Sequence, residues 1–330
     1  MTKNFLNGDD IPRFLEILAG YGALHGPLLT EDGVIAFRPL RDPAHLLLDY
    51  QRTLLPPKKY LLPPRETILT YAPATGYRPP DTPAPQIVLI GVHPCDLTGI
   101  AYLDRVFLGE DPDPSYRARR DALTLIGLSC DPDDSCFCDG PVTTPTECDL
   151  FMERAGTGYF LAPVTTRGRE MLEKLSPLLG GRETTHLTPR AHPLVPEIRR
   201  VAARGETFDA SHLWDDFAAR CLSCGACSLC CPTCYCFDVL ECGALDGTTA
   251  TRLREWDNCL FRAHGEVAGG FNFRKARRER FRYRYRHKYL GFGPTRGELA
   301  CVGCGRCRAV CPVGIDLLEL FTEGCHEARR

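Results

Sequence analysis

The chain has 330 residues, with 40 Lys and Arg against 42 Asp and Glu, a formal net charge of −2. That length suits two domains, each able to bury its own core, so cysteine staples are not needed for stability. A near-neutral balance gives no bulk attraction to nucleic acid or to acidic membranes, and any charge argument must be local.

Nineteen cysteines is far above ordinary usage and means either disulfides or metal thiolates, with the redox compartment deciding between them. Met1 to Asp10 is polar and acidic, without the basic start, apolar core or small-residue cleavage site of an export signal. The longest apolar runs, Ile87 to Val92 and Leu123 to Leu128, are too short to span a bilayer as helices. The expectation is a cytoplasmic protein with no membrane span and reduced thiols, most of them metal ligands.

Proline-rich Leu55 to Pro64 and Pro79 to Pro85 read as rigid connectors. Ile87 to Val92 is a continuous apolar, β-branched run, the pattern of a strand covered on both faces. Asp96 to Leu108 has helical spacing of apolar residues, and Leu123 to Leu128 is a second buried strand. Strand, helix, strand implies a parallel pair with a right-handed crossover. Cys95 follows the first strand directly. Cys130 follows the second, with Cys136 and Cys138 just beyond. Parallel neighbours put both loops at one carboxyl edge of the sheet, where α/β proteins build their sites, so these four cysteines can converge on a third [4Fe-4S] cluster. Buried free thiols are the plainer alternative. His93 reads as a hydrogen-bonded loop histidine, and Asp96 and Ser129 as turn or cap groups. Tyr159 to Val164 is a further strand and Thr166 to Leu179 a helix. After about Thr207 the texture changes to helical segments punctuated by cysteines. The predicted fold class is therefore an N-terminal α/β domain with a partly parallel sheet (1–207), followed by a helical ferredoxin-like dicluster domain (208–330).

In that second domain Cys221, Cys224, Cys227 and Cys231-Pro232 have C-x-x-C-x-x-C-x-x-x-C-P spacing, and Cys301, Cys304, Cys307 and Cys311-Pro312 repeat it. Three thiolates in a tight turn reach three irons of one cubane, with Gly225 and Gly305 letting the backbone approach the sulfides. The fourth cysteine of paired motifs ligates the other cluster. Cys221, Cys224, Cys227 and Cys311 are accordingly assigned to one [4Fe-4S] cluster, and Cys301, Cys304, Cys307 and Cys231 to the second. Structural zinc prefers ligands in two pairs, which three-plus-one with a terminal proline does not match.

About seventy residues separate the motifs, much more than in a small bacterial ferredoxin, which favours a helical arrangement over the compact ββ type. Cys234, Cys236, Cys242 and Cys259 in and beside this insert could form another site, whereas Cys148, Cys230 and Cys325 read as ordinary thiols. Arg274 to Lys288 holds nine Lys or Arg interleaved with Phe281, Tyr283 and Tyr285. Basic plus aromatic is a nucleic-acid cue. In an extended segment, however, alternate residues point opposite ways, and two anionic clusters or an acidic partner surface explain the cations better, with a solvated basic face as the plainer alternative and no nucleic-acid partner expected. No G-x-G-x-x-G or phosphate loop appears, so a flavin or nicotinamide belongs on another subunit. No paired-cysteine signature of a nickel-iron centre appears, and no catalytic residue is assigned.

The blocks GVHPCDLTGI (Gly91 to Ile100), CDPDDSCFC (Cys130 to Cys138), CLSCGACSLCCPTCYCFDV (Cys221 to Val239), WDNCLF (Trp256 to Phe261), GFNFR (Gly270 to Arg274), HKYLGFG and CVGCGRCRAVCPVGID (Cys301 to Asp316) carry a resemblance. The chain resembles the beta subunit of cytoplasmic NAD(P)-linked hydrogenase and sulfhydrogenase complexes, and its relative, the electron-transfer subunit of anaerobic sulfite reductase. Membership implies an electron conduit between a flavin- and NAD(P)-binding diaphorase subunit and a nickel-iron hydrogenase of small and large subunits. In the sulfite reductase case a sirohaem subunit takes the hydrogenase's place. Residues before about Tyr77 carry none of this resemblance.

Overall fold

A computed structural model describes residues 3–80, 83–138, 147–183, 192–203 and 213–322. The expected boundary at Thr207, and Cys325, lie outside the described residues.

The larger sheet has eight strands: β1 (Lys3–Asn7), β2 (Ala23–Leu29), β3 (Ile35–Pro39), β6 (Ile87–Val92), β7 (Leu123–Leu128), β8 (Leu150–Ala155), β9 (Gly158–Pro163) and β10 (Leu179–Glu183). Their order is β10-β1-β9-β8-β7-β6-β2-β3. The β2–β6, β6–β7 and β7–β8 pairs are parallel and the other pairs antiparallel. The two runs read as doubly covered strands are central, and β7 is buried along its whole length. Helices α1 (Ile11–Leu18), α2 (Pro94–Phe107), α3 (Pro114–Asp121) and α4 (Thr166–Leu175) contribute Leu15, Leu97, Leu103, Tyr116 and Met171 to its core. A register shift between Ile90 and Val92 falls at Gly91, whose φ of 80° few side chains adopt. Tyr50 Oη donates to the Gly91 carbonyl at 2.6 Å. The bulge re-aims the chain as it enters α2, whose first turn carries Cys95.

A second sheet has no counterpart in the sequence expectations. β4 (Arg65–Ala72) and β5 (Gly76–Arg78) join β11 (Phe237–Gly243) and β12 (Ala250–Trp256) in the antiparallel order β11-β12-β4-β5. Strands from either side of the expected boundary thus pair directly. The insert between the cysteine motifs is therefore partly a β-hairpin rather than wholly helical.

The remaining helices are α5 (Val195–Ala203), α6 (Leu213–Arg220), α7 (Ala226–Leu229), α8 (Arg277–Leu290), α9 (Arg306–Ala309) and α10 (Glu319–Thr322). They surround a second core that includes Trp214, Phe217, Phe281, Tyr285 and Tyr289. The chain thus combines a mixed α/β body, whose sheet is partly parallel, with a C-terminal cysteine-rich helical part. Among the described residues no helix is long and apolar enough to cross a membrane.

Candidate iron-sulfur centres

The two cysteine motifs fold alike. Gly225 (φ 79°) precedes α7 and Gly305 (φ 73°) precedes α9, each in the left-handed conformation that glycine tolerates. A Cβ at Gly305 would stand 2.5 Å from the Ser135 carbonyl, and one at Gly225 2.4 Å from Asn258 Nδ2. These glycines thus let a neighbouring loop lie directly on the cysteine turn. Cys221, Cys224, Cys227 and Cys311 border one cavity. Cys231, Cys301, Cys304 and Cys307 border a second. Cys307 and Tyr285 touch both, forming the wall between them. The second cavity thus meets three cysteines of its own motif and the last of the first motif, and the first cavity meets three of its own with Cys311 and, at the shared wall, Cys307. Among the described residues no three His, Cys, Asp or Glu side chains close around a point as they would on a single ion. The thiols instead face shared volumes.

Cys95, Cys130, Cys136 and Cys138 also approach one another. Cys95 lies in the first turn of α2, near enough to Cys130 and Cys304 to feel their charge, and Cys130 likewise feels Cys136 and Cys138. Burial pushes Cys130, and also Cys301, up to about 12, so loading either with metal must release its proton. The Cys130–Cys138 loop rests on the second motif. Phe137 N donates to the Gly303 carbonyl at 2.8 Å, and Arg308 Nη1 donates to the carbonyls of Asp134 (3.0 Å) and Ser135 (2.9 Å). Arg52 pairs with Asp133 and directs Nη2 at Cys136 Sγ, 3.6 Å away.

His93 is buried and stacked on Tyr50, with ring centroids 4.1 Å apart. Burial, helped by nearby Arg306, lowers its pKa to about 3 and keeps the ring neutral. Ser129 departs from its reading as a turn or cap group: its Oγ accepts from Arg154 N on β8 at 2.9 Å. Asp96 differs from its reading as a cap group. Its carboxylate takes a two-pronged ion pair from Arg306 at 2.7 and 2.8 Å, with both side chains almost wholly buried. That pair ties α2 to the second cysteine motif.

The basic stretch is helical rather than extended. In α8, Arg280, Arg284 and Lys288 recur at four-residue spacing and are buried, beside a parallel stripe of Phe281, Tyr285 and Tyr289. Arg284 Nε donates to Cys227 Sγ (3.4 Å) and Nη2 to the Cys227 carbonyl (2.6 Å), while Lys288 Nζ donates to Thr233 Oγ1 (2.8 Å). Burial alone would lower the pKa of both cations. The charges of Cys227 and Cys234 on Arg284, and of Cys231 and Cys234 on Lys288, outweigh it and raise both. Inward-facing cations beside cysteine cavities offset negative charge there, which an extended reading could not anticipate.

Three supporting residues had no signal of their own. Asn258 is fully buried; its Nδ2 donates to the Gly225 carbonyl at 2.8 Å and its Oδ1 accepts from Leu260 N at 3.0 Å. Thr233 Oγ1 donates to the Ala300 carbonyl at 2.6 Å, tying the end of the first motif to the start of the second. Asn272 bridges its loop through the Arg262 carbonyl (2.7 Å) and Arg274 N (2.8 Å). All three lie in the WDNC, CPTC and GFNF blocks, which was the available clue.

Comparison with known proteins agrees with this geometry. Residues 220–315 match the family model of a 4Fe-4S dicluster domain. The chain is 33% identical to sulfhydrogenase 2 subunit beta of Pyrococcus furiosus, an alignment covering 96% of this chain and 97% of that protein. No solved structure matches it significantly. With a dicluster domain in place and similarity running the whole length of that relative, the chain belongs to the family of hydrogenase and sulfhydrogenase beta subunits.

Proposed function

We propose that this protein is a non-catalytic iron-sulfur electron-transfer subunit of a cytoplasmic multi-subunit oxidoreductase. It relays electrons between a flavin- and NAD(P)-binding diaphorase subunit and a nickel-iron hydrogenase module of small and large subunits. Cys221, Cys224, Cys227 and Cys311 hold one [4Fe-4S] cluster and Cys231, Cys301, Cys304 and Cys307 a second. Cys95, Cys130, Cys136 and Cys138 hold a third. The observation that carries the reading is the crossed set of thiols around each cavity, the ligand sharing that paired cubane motifs require. The relative's name favours a hydrogenase partner over a sirohaem one.

Bound there, such clusters supply one-electron carriers whose irons are all held by thiolate, leaving no position for a substrate. The chain's own residues set their surroundings. Arg284 and Lys288 favour the extra negative charge that reduction brings, and Asn258 and Thr233 hold the cysteine turns in place. Cys224 is exposed and the neighbouring Leu222 is 60% exposed, so the first centre lies at the surface and offers a docking point.

Replacing Cys311 by Ser tests the assignment. Electron paramagnetic resonance should show the centre of Cys221 altered, although Cys311 belongs by sequence to the other motif. Loss of the Cys301 centre alone would contradict it. Isolation of the native complex should bring down a flavoprotein and hydrogenase subunits, identified by mass; a sirohaem protein in their place would move the chain to the sulfite-reducing branch.

A further inference from the structure

Four further cysteines were grouped by sequence, and the structure separates them. Cys242 lies on exposed β11, opposite Thr251. The others meet beside the first motif, where Asp257 N donates to the Cys236 carbonyl at 2.9 Å. The Cys236 thiol lies beside the Cys259 thiol and the His264 ring, near enough for each to shift its titration, and His264 Nδ1 pairs with the Asp257 carboxylate. Cys259 is buried while Cys236 is partly exposed. Cys234 stands near Cys259 and beside Cys231, which borders the second cavity. Cys231, Cys234, Cys259 and Cys236 thus form a row of thiols from a cavity wall to a partly exposed histidine.

We propose that Cys236 and Cys259 form a thiol–disulfide exchange site, served by His264 and Asp257, for low-molecular-weight disulfides. A thiol next to an imidazole that is oriented by a carboxylate is the arrangement that generates a thiolate nucleophile. The neighbouring Cys259 thiol lowers the Cys236 pKa; burial opposes this and the His264 ring reinforces it. Cys259 is raised by the same contact and by its burial, so it stays a thiol until its partner has reacted. Tyr235, Tyr283 and His287 are the other titratable groups facing Cys236, and Arg284 faces Cys259.

The exchange balances. The Cys236 thiolate attacks one sulfur of R–S–S–R, forming the mixed disulfide Cys236–S–S–R, and the departing thiolate takes a proton from His264. The Cys259 thiol, giving its proton to water, then attacks the Cys236 sulfur, and the second R–S⁻ leaves and is protonated from water. The Cys236–Cys259 disulfide remains. Two electrons and two protons restore the dithiol, the electrons arriving singly along the relay proposed above. That last step rests on the proposed function, whereas the exchange itself does not.

The test uses the full chain, purified anaerobically with its iron and exposed to excess hydroxyethyl disulfide. After iodoacetamide blocking and digestion, mass spectrometry should find a peptide linked through Cys236 and Cys259, and prior dithionite reduction should remove the link. Cys236→Ser and Cys259→Ser should each abolish it with iron content unchanged. At pH 7 a free thiol of pKa about 8.5 is only about 3% thiolate. Cys236 should therefore be alkylated several-fold faster than a free thiol, and His264→Gln should slow it and move its pH midpoint upward. No linked peptide in iron-loaded protein would overturn the proposal. So would loss of iron in Cys236→Ser or Cys259→Ser, which would make these residues metal ligands. Should wild-type protein carry no iron yet form the link, the electron-relay reading would fail and the exchange site would stand.

Discussion

Arg306 sits between two cysteines of a metal-binding motif, yet its guanidinium is turned inward, onto Asp96 and the Thr53 carbonyl, with the residue only 1% exposed. Removing one partner of a buried ion pair leaves the other charge uncompensated, a penalty of about 3–5 kcal/mol. Asp96→Ala should therefore lower the unfolding free energy by roughly that amount in chemical denaturation, while the double change Asp96→Leu with Arg306→Met recovers most of the loss. Equal loss in the single and double variants would show that the pair is not the source. Cys136→Ser probes the third centre: it should remove about four irons, one cubane, per chain. Unchanged iron content would return Cys95, Cys130, Cys136 and Cys138 to ordinary buried thiols. The two C-terminal cysteine motifs were legible because the same spacing, ending in Cys-Pro, occurs twice, and residues 220–315 match a 4Fe-4S dicluster domain. Arg306, Asn258 and Thr233 were not, because each acts on a partner far away in the sequence, or on a backbone carbonyl that leaves no mark in composition.

Helix α8 shows why local pattern misled at the level of elements. Alternating Arg and Tyr reads as a strand with one charged face, but the useful period is four, placing Arg280, Arg284 and Lys288 on one buried stripe. Tertiary demand for cations beside the cysteine cavities overrides the local preference. If those cations favour the reduced state of a bound cluster, Lys288→Met should make the neighbouring centre harder to reduce. A unit charge a few ångströms away at an effective dielectric near 20 gives a shift on the order of several tens of millivolts after relaxation. Redox titration followed by electron paramagnetic resonance measures it, and an unchanged or higher potential would refute the electrostatic role. Strands β6 and β7 were legible for the opposite reason: a strand covered on both faces needs an uninterrupted apolar run, and few other structures do. The β4–β12 pairing had no such signal, since it joins residues such as Thr67 and Leu253 across most of the chain.

Across the whole molecule, the three cysteine groups lie in sequence through space. The Cys130–Cys138 loop rests on the second motif, and Cys307 and Tyr285 separate the second cavity from the first, whose Cys224 reaches the surface. The N-terminal sheet thus supplies one end of a row that the C-terminal motifs complete, and the Asp96–Arg306 pair joins the two parts. A row of centres suits a subunit that passes electrons between partners. That account stands or falls on metal content. Iron and acid-labile sulfide, measured on anaerobically purified protein, should come to about twelve of each per chain, three four-iron cubanes, with the brown colour and reduced-state paramagnetic signals of [4Fe-4S] clusters. Colourless protein, or protein carrying zinc in place of iron, would contradict it.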